Sequence, residues 1–235
     1  MVDVFAMRSA DSTANGLDSG SFIVARRELA AAIRRGEYAP NQRLVESELT
    51  VSLGVSRGTL RSVFIALEQE NYISLERNRG ARVRQFAPAE ALEILQTREI
   101  LEAAAAGLAA IRITGEELAK LDEITGRMFD ADAAHDGPRY SACNKEFHAQ
   151  VIASARQPTL SRFISSTPYP LVMSQYRDLQ APHPRTGSLQ EHEAIMAALR
   201  IGNAPAAEAV MRYHVESTRR ALTLNMAAMT EANHP

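Results

Sequence analysis

The sequence has no tryptophan and a single cysteine, Cys143. One thiol excludes an internal disulfide, and with it the small oxidised scaffolds of secreted proteins; Cys143 reads as a small buried hydrophobe. No stretch reaches the length of about 18 apolar residues that a bilayer requires. The longest apolar run, ILEAAAAGLAAI, is short and carries Glu102. The opening MVDVFAMRSA lacks a basic region leading into an apolar core, so no secretory signal is expected. A cytoplasmic protein with no membrane contact is the expectation. No segment repeats at a period of about 20–50 residues. Catalytic signatures are missing as well. There is no H-E-x-x-H, G-x-S-x-G or P-loop, and Lys145, Leu189 and Met211 stand three before His148, His192 and His214, so no E-x-x-H pair exists. An enzyme is not expected.

What the chain does have is a division of charge. Residues 21–86 carry eleven Arg against seven Glu, a net +4, and residues 87–235 carry fourteen basic against eighteen acidic residues, a net −4. A basic head on an acidic body suggests that the head meets a polyanion. Residues 1–20 are polar and aperiodic and read as a flexible arm. In the head, Phe22, Leu29 and Ile33 share one helical face that Gly36 ends. A second short helix runs from Glu46 to Leu53 and stops at Gly54. Ser56 then caps a third helix, in which Leu60, Val63, Phe64 and Leu67 form one buried stripe. Asn71 can take the left-handed conformation that ends it. YISLE and ARVRQF alternate around RNRG and predict a two-stranded hairpin.

Two short helices joined by a glycine-containing turn make a helix-turn-helix, whose second helix enters the major groove of double-stranded DNA. This explains the divided character of LGVSRGTLRSVFIALEQENY. Its apolar half anchors the helix, while Ser56, Arg57, Thr59 and Arg61 lie at the open end. Arginine suits that place because its planar fork pairs with guanine or clamps a phosphate. The hairpin is then a wing, with Arg79 and Gly80 at its tip.

After Pro88 the pattern turns helical to the end, with breaks near Thr114-Gly115, His135 to Pro138, Gln157-Pro158, QAPHPRTG and Gly202 to Pro205. The expected architecture is mainly α: a winged helix-turn-helix over 21–86, then an all-α bundle of six to seven helices over 87–230. His148, His192 and His214 fall on three helices of this bundle, each on or beside its apolar stripe. They read either as satisfied core histidines or as three ligands converging on one divalent metal such as Zn, Ni or Fe. Three inward histidines with no other inward polar cluster favour the metal. Asn144, one turn before His148, shares its face and offers an amide oxygen.

Residues 22–84 resemble the winged helix of the GntR family of bacterial transcriptional regulators. The pattern departs from the usual one at Asn41, Thr50, Gly58 and Asn71. The stretches LQTREILEAAAAGLAA, NKEFH and QEHEAIMAALRIGNAPAAEAVMRYH resemble the helical effector-binding domain of that family's FadR branch. The resemblance implies that Arg57, Thr59 and Arg61 read DNA, with Ser47 on the preceding helix and Arg79-Gly80 in the wing as further contacts. It also implies a metal on Asn144, His148, His192 and His214 beside a small organic acid. A neutral set of ligands leaves the metal charge free for a carboxylate, whose far end Arg98 and Arg177 are placed to clamp; for each arginine a surface ion pair is the equal alternative. The expected protein is a ligand-responsive regulator, a repressor more than an activator, acting as a homodimer on a palindromic operator. The rival readings are a DNA-binding dimer whose body is purely structural, and a metal-dependent helical enzyme.

Overall fold

The computed structural model describes residues 14–76, 80–176 and 185–232. The chain forms two compact units. The first comprises the head through Phe86 together with Pro170–Gln175; the second comprises Ala87–Tyr169 and the chain from Tyr176 onward.

In the first unit α1 (Ala14–Arg35) begins inside the stretch expected to be an arm. Its buried Leu29 and Ile33 pack on α3 (Arg57–Gln69), whose Leu60, Val63, Phe64 and Leu67 are all buried. The short α2 (Glu46–Leu53) ends at Gly54 in the left-handed region, φ 63°. This is the turn of the helix-turn-helix. Ser56 caps α3 by accepting a hydrogen bond from the Thr59 N–H at 3.1 Å. Asn71, φ 61°, ends the following turn, and Asn41, φ 62°, makes the bend that a glycine would otherwise supply.

The wing strands β2 (Ile73–Glu76) and β3 (Gly80–Val83) pair antiparallel, Ile73 opposite Val83 and Glu76 opposite Gly80. A third strand, β1 (Arg43–Leu44), pairs on the other side of β3, giving the order β1-β3-β2. The alternation of residues 73–76 and 80–83 buries Ile73, Ala81 and Val83 against the helices. Residues 170–175, inside the segment 87–230 expected as the second domain, group with this unit. Ser174 Oγ donates to the Arg34 carbonyl at 3.0 Å, and the Gln175 amide brackets Phe86, accepting from its N–H at 2.9 Å and donating to its carbonyl at 2.8 Å.

The second unit is built from α4 (Pro88–Ala110), α5 (Gly115–Ala133), α6 (Gly137–Ser154), α7 (Pro158–Ser166), the start of α8 (Tyr169–Gln175), α9 (Arg185–Arg200) and α10 (Ala204–Ala232). The alanine run of α4 is what lets α10 lie close. At Gly107 a β-carbon would stand 3.4 Å from the Ala204 carbonyl and 3.5 Å from Glu208 Cβ. Ala105, Ala106 and Ala109 are fully buried beside it. The core is completed by Leu121, Ile124 and Met128 of α5, Phe147 and Val151 of α6, Ile195 and Met196 of α9, and Met211 of α10. Pro88, Pro138 and Pro158 each sit in the first turn of a helix, where a missing N–H costs nothing.

Thr114 and Glu117 form a complete capping box on α5: the Glu117 N–H donates to Thr114 Oγ1 at 3.2 Å and the Thr114 N–H to Glu117 Oε2 at 2.9 Å. Thr114→Ala is therefore expected to lower the unfolding free energy by about 1 kcal/mol. Denaturant unfolding followed by far-UV circular dichroism reads the loss, and an unchanged midpoint would contradict it.

Candidate functional site

Two groups of residues stand out, one in each unit. In the head, the solvent face of α3 carries Arg57 and Arg61, one turn apart and both exposed, next to exposed Gly58 and Ser62. Arg61 lies 3.8 Å from Glu46 of α2 with its side chain still 71% exposed, so the pairing leaves it free to turn outward. Ser47 on α2 and Ser56 at the cap are exposed as well. Thr59 is placed differently from its neighbours. It is only 6% exposed, and its hydroxyl lies 2.9 Å from Ser56 Oγ, where it supports the cap. Gly80, φ 84°, opens β3 with free space around its α-carbon. Arg79, the other wing residue singled out in the sequence, lies outside the described residues.

In the bundle, four helices bring a polar cluster into the core. Asn144 and His148 come from α6, His192 from α9, His214 from α10 and Glu102 from α4. The three histidines are buried, and one ring nitrogen of each lies within 4.8 Å of those of the others. His148 Nε2 and His214 Nε2 are 3.2 Å apart, and His192 Nε2 is 2.8 Å from Asn144 Oδ1.

The far side of each ring settles what those atoms carry. His148 Nδ1 faces Glu102 Oε2 at 2.5 Å, His214 Nδ1 faces Glu191 Oε2 at 2.7 Å, and His192 Nδ1 faces the Ser188 carbonyl at 2.6 Å. All three partners are acceptors, so each Nδ1 bears a hydrogen, and a neutral ring then presents a lone pair at Nε2. Three ring nitrogens and an amide oxygen then meet at one buried point. That convergence could hold a cation, a metal ion or, in its place, a proton. The 3.2 Å between His148 Nε2 and His214 Nε2 matches the distance of about 3.3 Å between neighbouring ligands of a tetrahedral site with bonds of about 2.0 Å to nitrogen.

Burial pushes the His192 imidazole well below its ordinary pKa, with His214 and His148 adding to the effect against the Ser188 carbonyl. Burial lowers His214 too, opposed by Glu191. Both rings are thus held in the neutral, ligating form. Burial works to raise the pKa of Glu102, but His148, Arg98 and His214 outweigh it and hold the carboxyl at about 2. Arg98, one turn before Glu102, pairs with its second oxygen and lies over the Tyr169 ring, 3.9 Å from the centroid. Its side chain is 15% exposed. Arg177 lies outside the described residues.

The sign of the pH response follows from these directions. For His192 and His214 the folded-state pKa lies below the unfolded one, so the unfolded chain takes up protons first as pH falls. Their contribution is intact above about pH 6.5 and is lost progressively below it. Glu102 adds a loss at lower pH, between the unfolded carboxyl value of about 4.5 and the folded value of about 2. Chelator-treated protein is expected to melt at falling temperature as pH drops from 7.5 to about 5.5, with a shallower fall in His192→Gln. Equal slopes for the two proteins would contradict the assignment.

Glu102, Glu191 and Ser188 were not singled out from the sequence. The signal for Glu102 was present: a lone carboxylate inside an alanine-rich run must find a partner when that run is buried. Glu191 is hidden by its neighbour. It precedes His192 by one residue, so it leaves α9 about 100° round the helix and reaches α10.

Residues 93–217 match the FCD domain family, and residues 24–83 match the gntR family of bacterial regulatory proteins. The chain belongs to the GntR family. It is a DNA-binding transcriptional regulator with an FCD domain, and its relatives are regulators, not enzymes. The galactonate operon transcriptional repressor of Escherichia coli K12 is 28% identical over 216 residues, covering 82% of this chain and 93% of that protein. LutR of Bacillus subtilis is 25% identical over 213 residues, 81% and 96% of the two chains. The Exu regulon transcriptional regulator of E. coli K12 is 24% identical over 214 residues, 82% and 80%. Among solved structures, E. coli McbR/YncC superposes with a TM-score of 0.70 at 19% identity, covering 91% of this regulator and 99% of that chain. A GntR regulator of Rhodococcus sp. RHA1 gives 0.69 at 24% identity, with 87% and 98% covered. These two share the fold. No helix among the described residues of the regulator is long and apolar enough to cross a membrane.

Proposed function

We propose that this regulator is a metal-dependent repressor, acting as a homodimer on a palindromic operator and responding to a small carboxylate. The observation that carries the reading is the convergence of three Nε2 lone pairs and Asn144 Oδ1, with every Nδ1 already committed to an acceptor. Asn144, His148, His192 and His214 would hold a divalent ion, zinc or nickel by ligand type. The ion would supply a fixed positive point to which a carboxylate oxygen bonds. Arg98, which pairs with Glu102, and Arg177 remain the candidates for the far end of that anion.

The name of the galactonate operon repressor supports a sugar acid as the carboxylate. Two half-sites read by two heads supply the specificity that one short helix lacks, which supports the homodimer. The effector then acts by reciprocal linkage: an acid that releases operator DNA is itself bound less tightly by the DNA-bound form.

The test begins with metal analysis of protein purified without chelator, then a thermal-shift screen of aldonates and hexuronates against the matching neutral sugars. The expected result is one divalent ion per chain and a shift with acids alone. Asn144→Asp sharpens the test. Its carboxylate should tighten the metal and weaken the anionic effector by about 1–2 kcal/mol, roughly tenfold. Tighter calorimetric binding of both metal and effector by Asn144→Asp would refute the charge argument.

A further inference from the structure

We propose that Glu102 and Glu191 are the positioning residues of the cation site and carry the counter-charge that Asn144 lacks. The inference rests on reading the histidine cluster as a metal centre. Neither carboxylate is among the converging atoms; each acts through a histidine. Glu102 Oε2 takes the Nδ1 hydrogen of His148 at 2.5 Å, and Glu191 Oε2 takes that of His214 at 2.7 Å. A carboxylate in that position fixes the tautomer, locks the rotation of the ring and raises the electron density at Nε2.

The two carboxylates are unequal. Glu102 is buried, and its second oxygen is shared with Arg98, so part of its charge is neutralised by the guanidinium. Glu191 has the neutral Ser217 hydroxyl as its other partner, 3.2 Å away, and that hydroxyl also leans on the His214 carbonyl at 2.8 Å. Glu191 therefore directs more of its charge at His214. His192 receives none, because a backbone carbonyl holds it. Three imidazoles and a neutral amide are thus flanked by two carboxylates. The negative charge that an aspartate at position 144 would place on the ion stands one residue further out.

Glu191 is the better lever. Glu102→Gln would strand Arg98 in a largely buried place. Glu191→Gln is isosteric at a side chain 13% exposed, and the melting point of the metal-free variant checks that the fold is kept. Zinc and cobalt affinities are measured by competition with a chelating dye on the parent, Glu191→Gln, Asn144→Asp and the double variant, with the Co(II) absorption spectrum recorded for each. Glu191→Gln should weaken metal about 10- to 100-fold and shift the cobalt bands. Adding Asn144→Asp should restore the affinity, because the missing charge re-enters beside the ion on a different helix. A parental affinity and spectrum in Glu191→Gln would overturn the proposal. So would a loss that Asn144→Asp leaves unrepaired, which would mark Glu191 as packing alone. A parent that takes up neither metal would instead remove the metal reading on which the proposal stands.

Discussion

Arg57→Ala and Arg61→Ala are each expected to weaken operator binding by about 1–3 kcal/mol, between a few-fold and about a hundredfold, and to change which sequences are preferred. The two arginines are the basic residues on the solvent face of α3, one turn apart, while the opposite face is locked by Leu60, Val63, Phe64 and Leu67. That packing fixes where the helix backbone sits, so truncating either arginine removes its own interactions without moving the helix. A change in sequence preference separates base reading from phosphate clamping. Removing a phosphate clamp would lower affinity evenly across sequences and reduce the salt dependence by about one ion. Arg35, exposed and paired with Glu37 at the end of α1, is the control whose truncation should leave the footprint alone. If both α3 variants footprint like the parent, α3 is not the reading helix. Thr59 should behave unlike its neighbours. Its hydroxyl is committed to Ser56, so Thr59→Val is expected to show first as fraying of the cap.

Much of this was legible in the residues. The apolar stripe of α3, the glycine at 54 and the alternation on either side of RNRG each report a local rule, and the head follows them. Asn41 and Asn71 occupy bends that glycine would serve, and both adopt the positive φ that their short polar side chains tolerate. The histidine cluster was legible as three inward positions on three helices, since helical periodicity tells which way a residue faces. What faces it from another helix is a matter of tertiary packing, so Glu102 and Glu191 stayed hidden as partners. The placement of residues 170–175 with the head was hidden for the same reason. Gln175 satisfies the backbone of Phe86, a residue 89 positions away, and no local pattern encodes that pairing.

Truncating any one of His148, His192 and His214 to alanine is expected to abolish tight metal binding and, with it, the stabilisation that metal provides. The size follows from mass action. Metal at about one hundred times its dissociation constant adds about 2.7 kcal/mol to the folded state. For a chain of this length that corresponds to a rise in melting temperature of roughly 5–10 °C. The response to chelator is the clean measurement, because each alanine also leaves a small hole in the core that lowers the melting point by itself. Parent protein should lose those degrees on treatment and regain them with zinc, whereas the three variants should melt at the same temperature with and without metal. The equivalence of the three is itself informative. Their Nδ1 partners differ, a carboxylate shared with Arg98, a backbone carbonyl and a carboxylate backed by Ser217, so three merely structural histidines would respond unequally. A shared point of ligation makes the loss of any one vertex equivalent. A variant that keeps the full zinc response would take that histidine out of the site, and a parent indifferent to both chelator and zinc would leave the cluster as a proton-bridged core.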